Sequence, residues 1–171
     1  MGVLDDLGYA YLEDTWLSRL NATIVSSRPG AWFFQRTAHR LDRRVLRLTN
    51  GRESMSSMLV RKPVLLVTTK GRHSGLARTI PLLGIPFGDA VAIIGTNFGQ
   101  APTPGWVHNL RAEPRARIAH RDRTLDVRAR PATAGEFDEV FAEADAIYGG
   151  YAKYLERIDG REVQVFILER V

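Results

Sequence analysis

The sequence predicts an α+β protein built around a closed or split antiparallel β-barrel. Three observations carry that expectation. Apolar residues follow a helical period up to about residue 50 and a period of two afterwards. The strand-like runs are joined by short Gly- and Pro-containing turns, with no strand–helix–strand alternation. A final apolar strand returns after a single late helix, as a barrel requires. No Gly-x-Gly-x-x-Gly and no Walker spacing occur, so neither a dinucleotide fold nor nucleotide hydrolysis is expected.

In chain order, residues 4–20 read as a moderately amphipathic helix, and Ser26, Ser27, Pro29 and Gly30 mark a break. From Ala31 to Thr49, Phe34, Ala38, Leu41, Val45 and Leu48 recur at steps of four and three, while Arg36, Arg40, Arg43, Arg44 and Arg47 mostly take the other faces. This basic helix suits a core-packing element with a solvated arginine face, a contact with anionic lipid, or a wall for an anionic ligand. Asn50 and Gly51 close it. Six strands are expected next, over residues 63–70, 77–87, 90–97, 115–120, 124–130 and 163–171, with Pro81 and Pro86 forcing edges or bulges in the second. Residues 104–114 give a short helix started by proline, and Ala134–Ala146 a longer one. The whole is expected to be one domain over residues 1–171, with 1–50 as an N-terminal helical extension.

The 171 residues suit one hydrophobic core, and 44% hydrophobic content excludes a disordered chain. The absence of cysteine excludes disulfides, thiolate metal sites and cysteine nucleophiles, so redox chemistry would need a bound cofactor. Four scattered histidines show no metal-ligand spacing, and no metal is expected. Asp5, Asp6, Glu13 and Asp14 interrupt any leader-like apolar run, which leads to an expectation of a cytoplasmic protein, with residues 31–49 as the segment for any peripheral membrane contact. The net charge is +5, but residues 36–78 alone carry eleven basic and two acidic side chains. A local anion-binding face follows. The stretch lacks interleaved aromatics and a helix-turn-helix pattern, so nucleic acid is not an expected partner.

Chemistry concentrates in three blocks. In TTKGRHSGLARTIPLL, Thr68–Leu83, Lys70, Arg72, His73 and Arg78 surround Gly71 and Gly75, a composition that suits phosphate or, equally, a plain hairpin with solvated cations. GTNFGQAPTPGWVHNL, Gly95–Leu110, places Trp106 where it could be core or wall an aromatic ring. Tyr148, Tyr151 and Tyr154 repeat every three residues, as a packing stripe or a substrate wall.

Together these blocks resemble the deazaflavin-dependent nitroreductase family of actinobacterial split-barrel proteins, over about residues 60–171. The resemblance implies an FMN-binding-like split barrel holding coenzyme F420, a hydride-donating deazaflavin with a phospholactyl-polyglutamate tail. It implies that Arg72, His73 and Ser74 meet the phosphate, Lys70 follows the tail, and Arg78, Thr79, Ile80 and Pro81 continue along the cofactor. Gly95, Thr96, Asn97, Gly105, Trp106, Val107, His108 and Asn109 would hold ring and side chain, with Tyr151 beside them. Leu83, Thr96, Tyr148, Tyr151 and Tyr154 would line the substrate, Tyr151 or Tyr154 supplying a proton. The acceptor would be a quinone, an activated alkene or a nitro compound. Asn97 stands where the family's best-known nitroreductase pattern has a basic residue, and Leu83 where it has a tyrosine. The residues also admit an FMN-dependent reductase on the same barrel, or a non-catalytic cofactor or lipid carrier docking on membranes through its basic helix. The oligomeric state is open.

Overall fold

A computed structural model of the chain describes residues 2–9, 64–149, 151–158 and 160–171. The expected basic helix at 31–49, its closure at Asn50 and Gly51, and most of the 4–20 helix lie outside the described residues.

Seven antiparallel strands form one sheet: β1 Leu65–Lys70, β2 Ala77–Leu82, β3 Ile85–Phe87, β4 Ala90–Ile94, β5 Arg115–His120, β6 Arg123–Pro131 and β7 Val165–Arg170, in the order β2-β1-β5-β6-β7-β4-β3. The described helices are α1 Val3–Asp6, α2 Gly105–Ala112, α3 Ala134–Ile147 and α4 Tyr151–Leu155, with a single 3₁₀ turn at Asn97–Gly99.

The expected strand over 77–87 is two strands, and the reason explains the architecture. β2 pairs with β1 and β3 pairs with β4, so the two pieces sit at opposite ends of the hydrogen-bonded order. Only Leu83 and Gly84 separate them, a span of about 11 Å at most from Leu82 to Ile85. The sheet must therefore curl until its edges meet at this corner, which makes it a split barrel. Gly84 fits because no side chain would: a Cβ there would lie 2.6 Å from Leu65 Cδ1 and 3.0 Å from Val91 Cγ2. Its N–H is satisfied by the Tyr9 hydroxyl at 3.2 Å. Pro81 and Pro86 occupy the two edge strands, where a missing N–H costs least.

Two apolar clusters follow from strand alternation. Leu65, Val67, Val91, Ile93, Ile118, Val127, Phe166 and Leu168 fill the barrel with Trp106 and Val107 of α2. The other faces of β4 and β7, Ala92, Ile94, Val165 and Ile167, pack under α3 and α4 on Val140, Ala144 and the tyrosines. Burial on both faces is why these two strands read as continuous apolar runs.

Of the helix expected over 4–20, only residues 4–9 are described: α1 ends at Asp6, and Gly8 turns the chain in the left-handed region at φ 60°. Val3 donates its N–H to Asp89 O at 2.8 Å, Arg123 donates to Asp6 O at 2.9 Å, and Leu7 is buried, so this segment plugs the barrel beside β4.

α3 begins where Thr133 and Glu136 form a reciprocal capping box. Arg130 donates to both Glu136 oxygens at 2.7 and 2.8 Å and to Glu169 at 2.7 Å, tying β6, α3 and β7 together. The Arg130 hydrogen bond, aided by the Thr133 backbone, holds the Glu136 carboxyl down at about 2, from an ordinary 4.5. A depressed carboxyl stabilises the fold above its unfolded value and loses that contribution as pH falls through the folded one. Glu136→Gln is therefore expected to lower Tm at neutral pH, with the difference from wild type shrinking between about pH 4.5 and 2; thermal melts across that range check it.

Candidate active site

The β1–β2 turn is built to present donors. Gly71 N–H bonds Leu76 O at 2.8 Å and Gly75 N–H bonds Gly71 O at 2.7 Å, with Gly75 at φ 66°. A Cβ on Gly71 would lie 2.7 Å from Ser74 Oγ, so glycine lets the loop fold back tightly. Arg72, His73 and Ser74 are exposed at its tip, with Lys70 and Arg78 exposed at its base. An open groove of about 620 Å³ runs along one side, lined among others by Thr68, Lys70, Gly75, Arg115 and Arg117. Thr79 shares a 2.8 Å hydroxyl contact with Thr68, while Ile80 and Pro81 are half-buried farther along β2.

Asn109 fixes this turn to α2. Its Oδ1 accepts the Arg72 N–H at 3.0 Å and its Nδ2 donates to Thr69 Oγ1 at 3.0 Å, with both Asn109 and Thr69 buried. The role is positional: the amide holds the turn's backbone. Asn109→Ala leaves the buried Thr69 hydroxyl and the Arg72 N–H without this partner, and is expected to destabilise the fold by about 1–3 kcal/mol, read from urea denaturation. His108, one residue earlier, is half-buried and is held below its ordinary pKa first by desolvation, then by Arg72, Arg111 and His73. These groups form one cationic neighbourhood on the turn side of α2.

The opposite side of α2 abuts the end of β4. Gly95 N–H bonds Gln164 O at 2.8 Å, and a Cβ on Gly95 would lie 3.0 Å from Val107 Cγ2, so glycine permits the close approach. Val107 is fully buried, and Trp106 packs edge-on to Phe166 at 5.9 Å in the barrel core. Both side chains lie in the core, the alternative that the sequence left open for Trp106 beside a ring contact. Gly105 is exposed at the helix start, and Thr96 is buried just after β4. Asn97 and Phe98 then take left-handed conformations at φ 50° and 55°, and Gly99 follows at 80°. For Phe98 this costs about 1–2 kcal/mol. Asn97 offsets part of it by donating Nδ2–H to Pro102 O at 2.9 Å.

The tyrosines meet this loop. Phe98 lies edge-on to Tyr154 at 6.2 Å, and Tyr148, Tyr151 and Tyr154 pack against one another at 5.8–6.2 Å. They form a buried cluster rather than a stripe, because Tyr148 caps α3 while Tyr151 and Tyr154 belong to α4. Tyr148 and Tyr154 share a 3.0 Å hydroxyl hydrogen bond; Tyr151 makes none with the described residues. Burial raises all three phenols above their usual value, most at Tyr151 and Tyr154. Leu83 packs against the same cluster.

Turn, α2, β4 loop and tyrosines thus form one continuous strip, and only Ile80 and Pro81 sit apart from it along β2. Sequence reasoning missed Arg161, whose guanidinium grips the β4 loop, and Thr69, the buried partner of Asn109. Neither carries a spacing signal. Among the described residues no cluster of His, Asp or Glu could hold a metal, and no described helix is long and apolar enough to cross a membrane.

The fold is a split barrel, and the strip joins an exposed cationic turn, a short helix and a buried tyrosine cluster. The profile of the F420H(2)-dependent quinone reductase family matches residues 38–170, and the chain belongs to that family. It is 31% identical over 113 residues to an F420H(2)-dependent quinone reductase of Mycobacterium tuberculosis, spanning 63% of this chain and 74% of that protein. Among solved structures it is similar to an F420H2-dependent reductase, FDR-A, at TM-score 0.57 and 31% identity over 63% of this chain and 94% of that one. A structure described as a domain-swapped dimer matches at TM-score 0.59 and 28% identity, covering 82% of this chain and 99% of that one. The chain is accordingly an F420-dependent reductase of the split-barrel fold.

Proposed function

We propose that this enzyme reduces a quinone, with the cofactor's phosphate on the Arg72–Ser74 turn and its ring beside the loop at the end of β4. The observation that carries the reading is the Asn109 bridge, which makes turn and α2 one rigid unit whose other side packs on Gly95. The donor set fits the group: exposed guanidinium, imidazole and hydroxyl at a tight turn suit a phosphate, and Lys70 lines an open groove with Arg115 and Arg117, cations that suit an acidic tail. Arg78, Thr79, Ile80 and Pro81 would flank the cofactor along β2. Gly105, Trp106, Val107 and His108 would contribute mainly backbone and the α2 edge, and Gly95, Thr96 and Asn97 the ring end.

When bound, reduced F420 supplies a hydride to the acceptor. The chain's own part is to position, to exclude water and to hold a proton. Leu83, Thr96 and the tyrosine cluster would form the acceptor wall, an apolar surface suited to a flat quinone. Tyr151 is the phenol best disposed to donate a proton, since Tyr148 and Tyr154 engage each other. His108, its pKa lowered first by desolvation and then by Arg72, Arg111 and His73, would lie on the phosphate side.

A lipid-soluble quinone gives a peripheral membrane contact through residues 31–49 a purpose, and cytoplasmic placement would suit it. Liposome binding lost in an Arg40, Arg43, Arg44 and Arg47 to Gln variant would support this; equal binding would remove it. The acceptor itself is tested by anaerobic oxidation of enzyme-bound F420H2 with menadione, cyclohexenone or a nitroimidazole. Menadione is expected to be fastest. A preference for the alkene or nitro compound would move the enzyme to that acceptor class.

A further inference from the structure

We propose that Arg161 is a positioning residue that locks residues 95–100 in their strained conformation and so sets the ring end of the cofactor site; this rests on the reading of the site given above. Its Nη1 donates to Gly95 O at 3.0 Å, its Nη2 to Thr96 O at 2.8 Å and Gln100 O at 3.1 Å, and its Nε to Gln100 O at 3.1 Å. One planar guanidinium thus spans both ends of the loop, joining carbonyls that lie five residues apart in sequence.

The loop needs such a fastener. Asn97 and Phe98 hold left-handed conformations that side chains disfavour, and its internal backbone bonds are two, Gly99 N–H to Thr96 O at 3.0 Å and Gln100 N–H to Asn97 O at 3.1 Å. Carbonyls converging on one point repel unless a cation with several donors sits between them. Arginine supplies that in a fixed fork, whereas a lysine ammonium is a point charge that cannot reach all three with the same geometry. No carboxylate among the described residues pairs with Arg161, so the carbonyls are its partners and the guanidinium is committed to the loop.

The clamp also connects the loop to the tyrosines. Gly95 is bonded to Gln164 on the strand leading into β7, and a Cβ on Gly99 would lie 3.2 Å from Arg157 Cβ and 3.3 Å from Tyr154 O at the end of α4. The segment carrying Arg161 therefore follows α4 directly and grips the loop that α4 also backs. A loosened loop would move the ring end relative to Tyr151.

The test uses Arg161→Ala and Arg161→Lys of the full chain, with wild-type melting confirmed for at least one. The readouts are amide hydrogen exchange of residues 96–100, F420 affinity, and the separation of kcat from KM. Faster exchange confined to these amides is expected in both variants, with F420 binding weakened about tenfold and kcat reduced further in Arg161→Ala. Millimolar guanidinium is expected to restore Arg161→Ala, and lysine is not expected to substitute. Weakened binding with unchanged exchange, or full activity in Arg161→Lys, would overturn the clamp in favour of simple charge. Faster exchange with unchanged F420 binding and turnover would overturn its link to the site. If wild-type protein bound no F420, the reading of the site would fail, while amide exchange would still decide whether Arg161 holds the loop.

Discussion

Arg72→Ala is expected to weaken F420 binding by about 1.5–3 kcal/mol, roughly 10- to 150-fold in Kd, because a charged hydrogen bond to phosphate is lost. The change should leave the fold intact. Arg72's side chain is exposed, and the contact that anchors the turn comes from its backbone N–H to Asn109. Titration followed by tryptophan fluorescence, with thermal melts as control, separates the two. Unchanged Kd would place the phosphate elsewhere, and a lowered Tm would mean that the side chain supports the turn. His73→Ala, with its neighbour intact, should cost less because an imidazole cannot match the two-pronged contact of a guanidinium fork.

The second large effect is expected at Tyr151. Tyr151→Phe removes only the phenol oxygen, and if that group protonates the reduced quinone, kcat should fall by about 100-fold. F420 affinity should stay within about twofold, since the loss is confined to the transition state. Tyr154→Phe should behave differently: it breaks the 3.0 Å bond to Tyr148, so its main effect is on stability and its effect on kcat is smaller. Measuring kcat, KM and Tm for both variants distinguishes a proton donor from a packing residue. Equal kcat in Tyr151→Phe would assign the proton to solvent.

Much of this fold is legible in the sequence because its signals are local. The strand runs over 65–70, 90–94, 115–120, 123–131 and 165–170 announce themselves by period-two burial or by apolar runs between turn residues. The break at Leu83–Gly84 is less visible. Pro81 and Pro86 signal an irregularity, but whether it is a bulge or a change of partner depends on Leu65 and Val91, which approach Gly84 from β1 and β4. Likewise, helical spacing runs through Gly8 without a break, whereas Gly8 and the Tyr9–Gly84 bond turn residues 7–9 into the barrel.

The site divides in the same way. The cationic turn, the short helix and the tyrosines can be picked out by residue type. Their division of labour cannot, because it depends on which atoms are buried. Trp106 could be core or ring wall by residue type, and the structure packs it on Phe166 in the core. Asn109 is a polar residue that the resemblance gives to the cofactor, and both ends of its amide bond Thr69 and Arg72. Arg161 sits among ordinary surface charges in the sequence, and only the fold brings three carbonyls to it.

The central claim is that this site selects F420, and parallel titration of the purified protein with F420 and FMN tests it most directly. Saturable binding of F420 at micromolar concentration, lost or weakened in Arg72→Ala and Arg161→Ala, with FMN much weaker, is the predicted result. Tight FMN binding with no response to F420, or F420 binding indifferent to both substitutions, would contradict it.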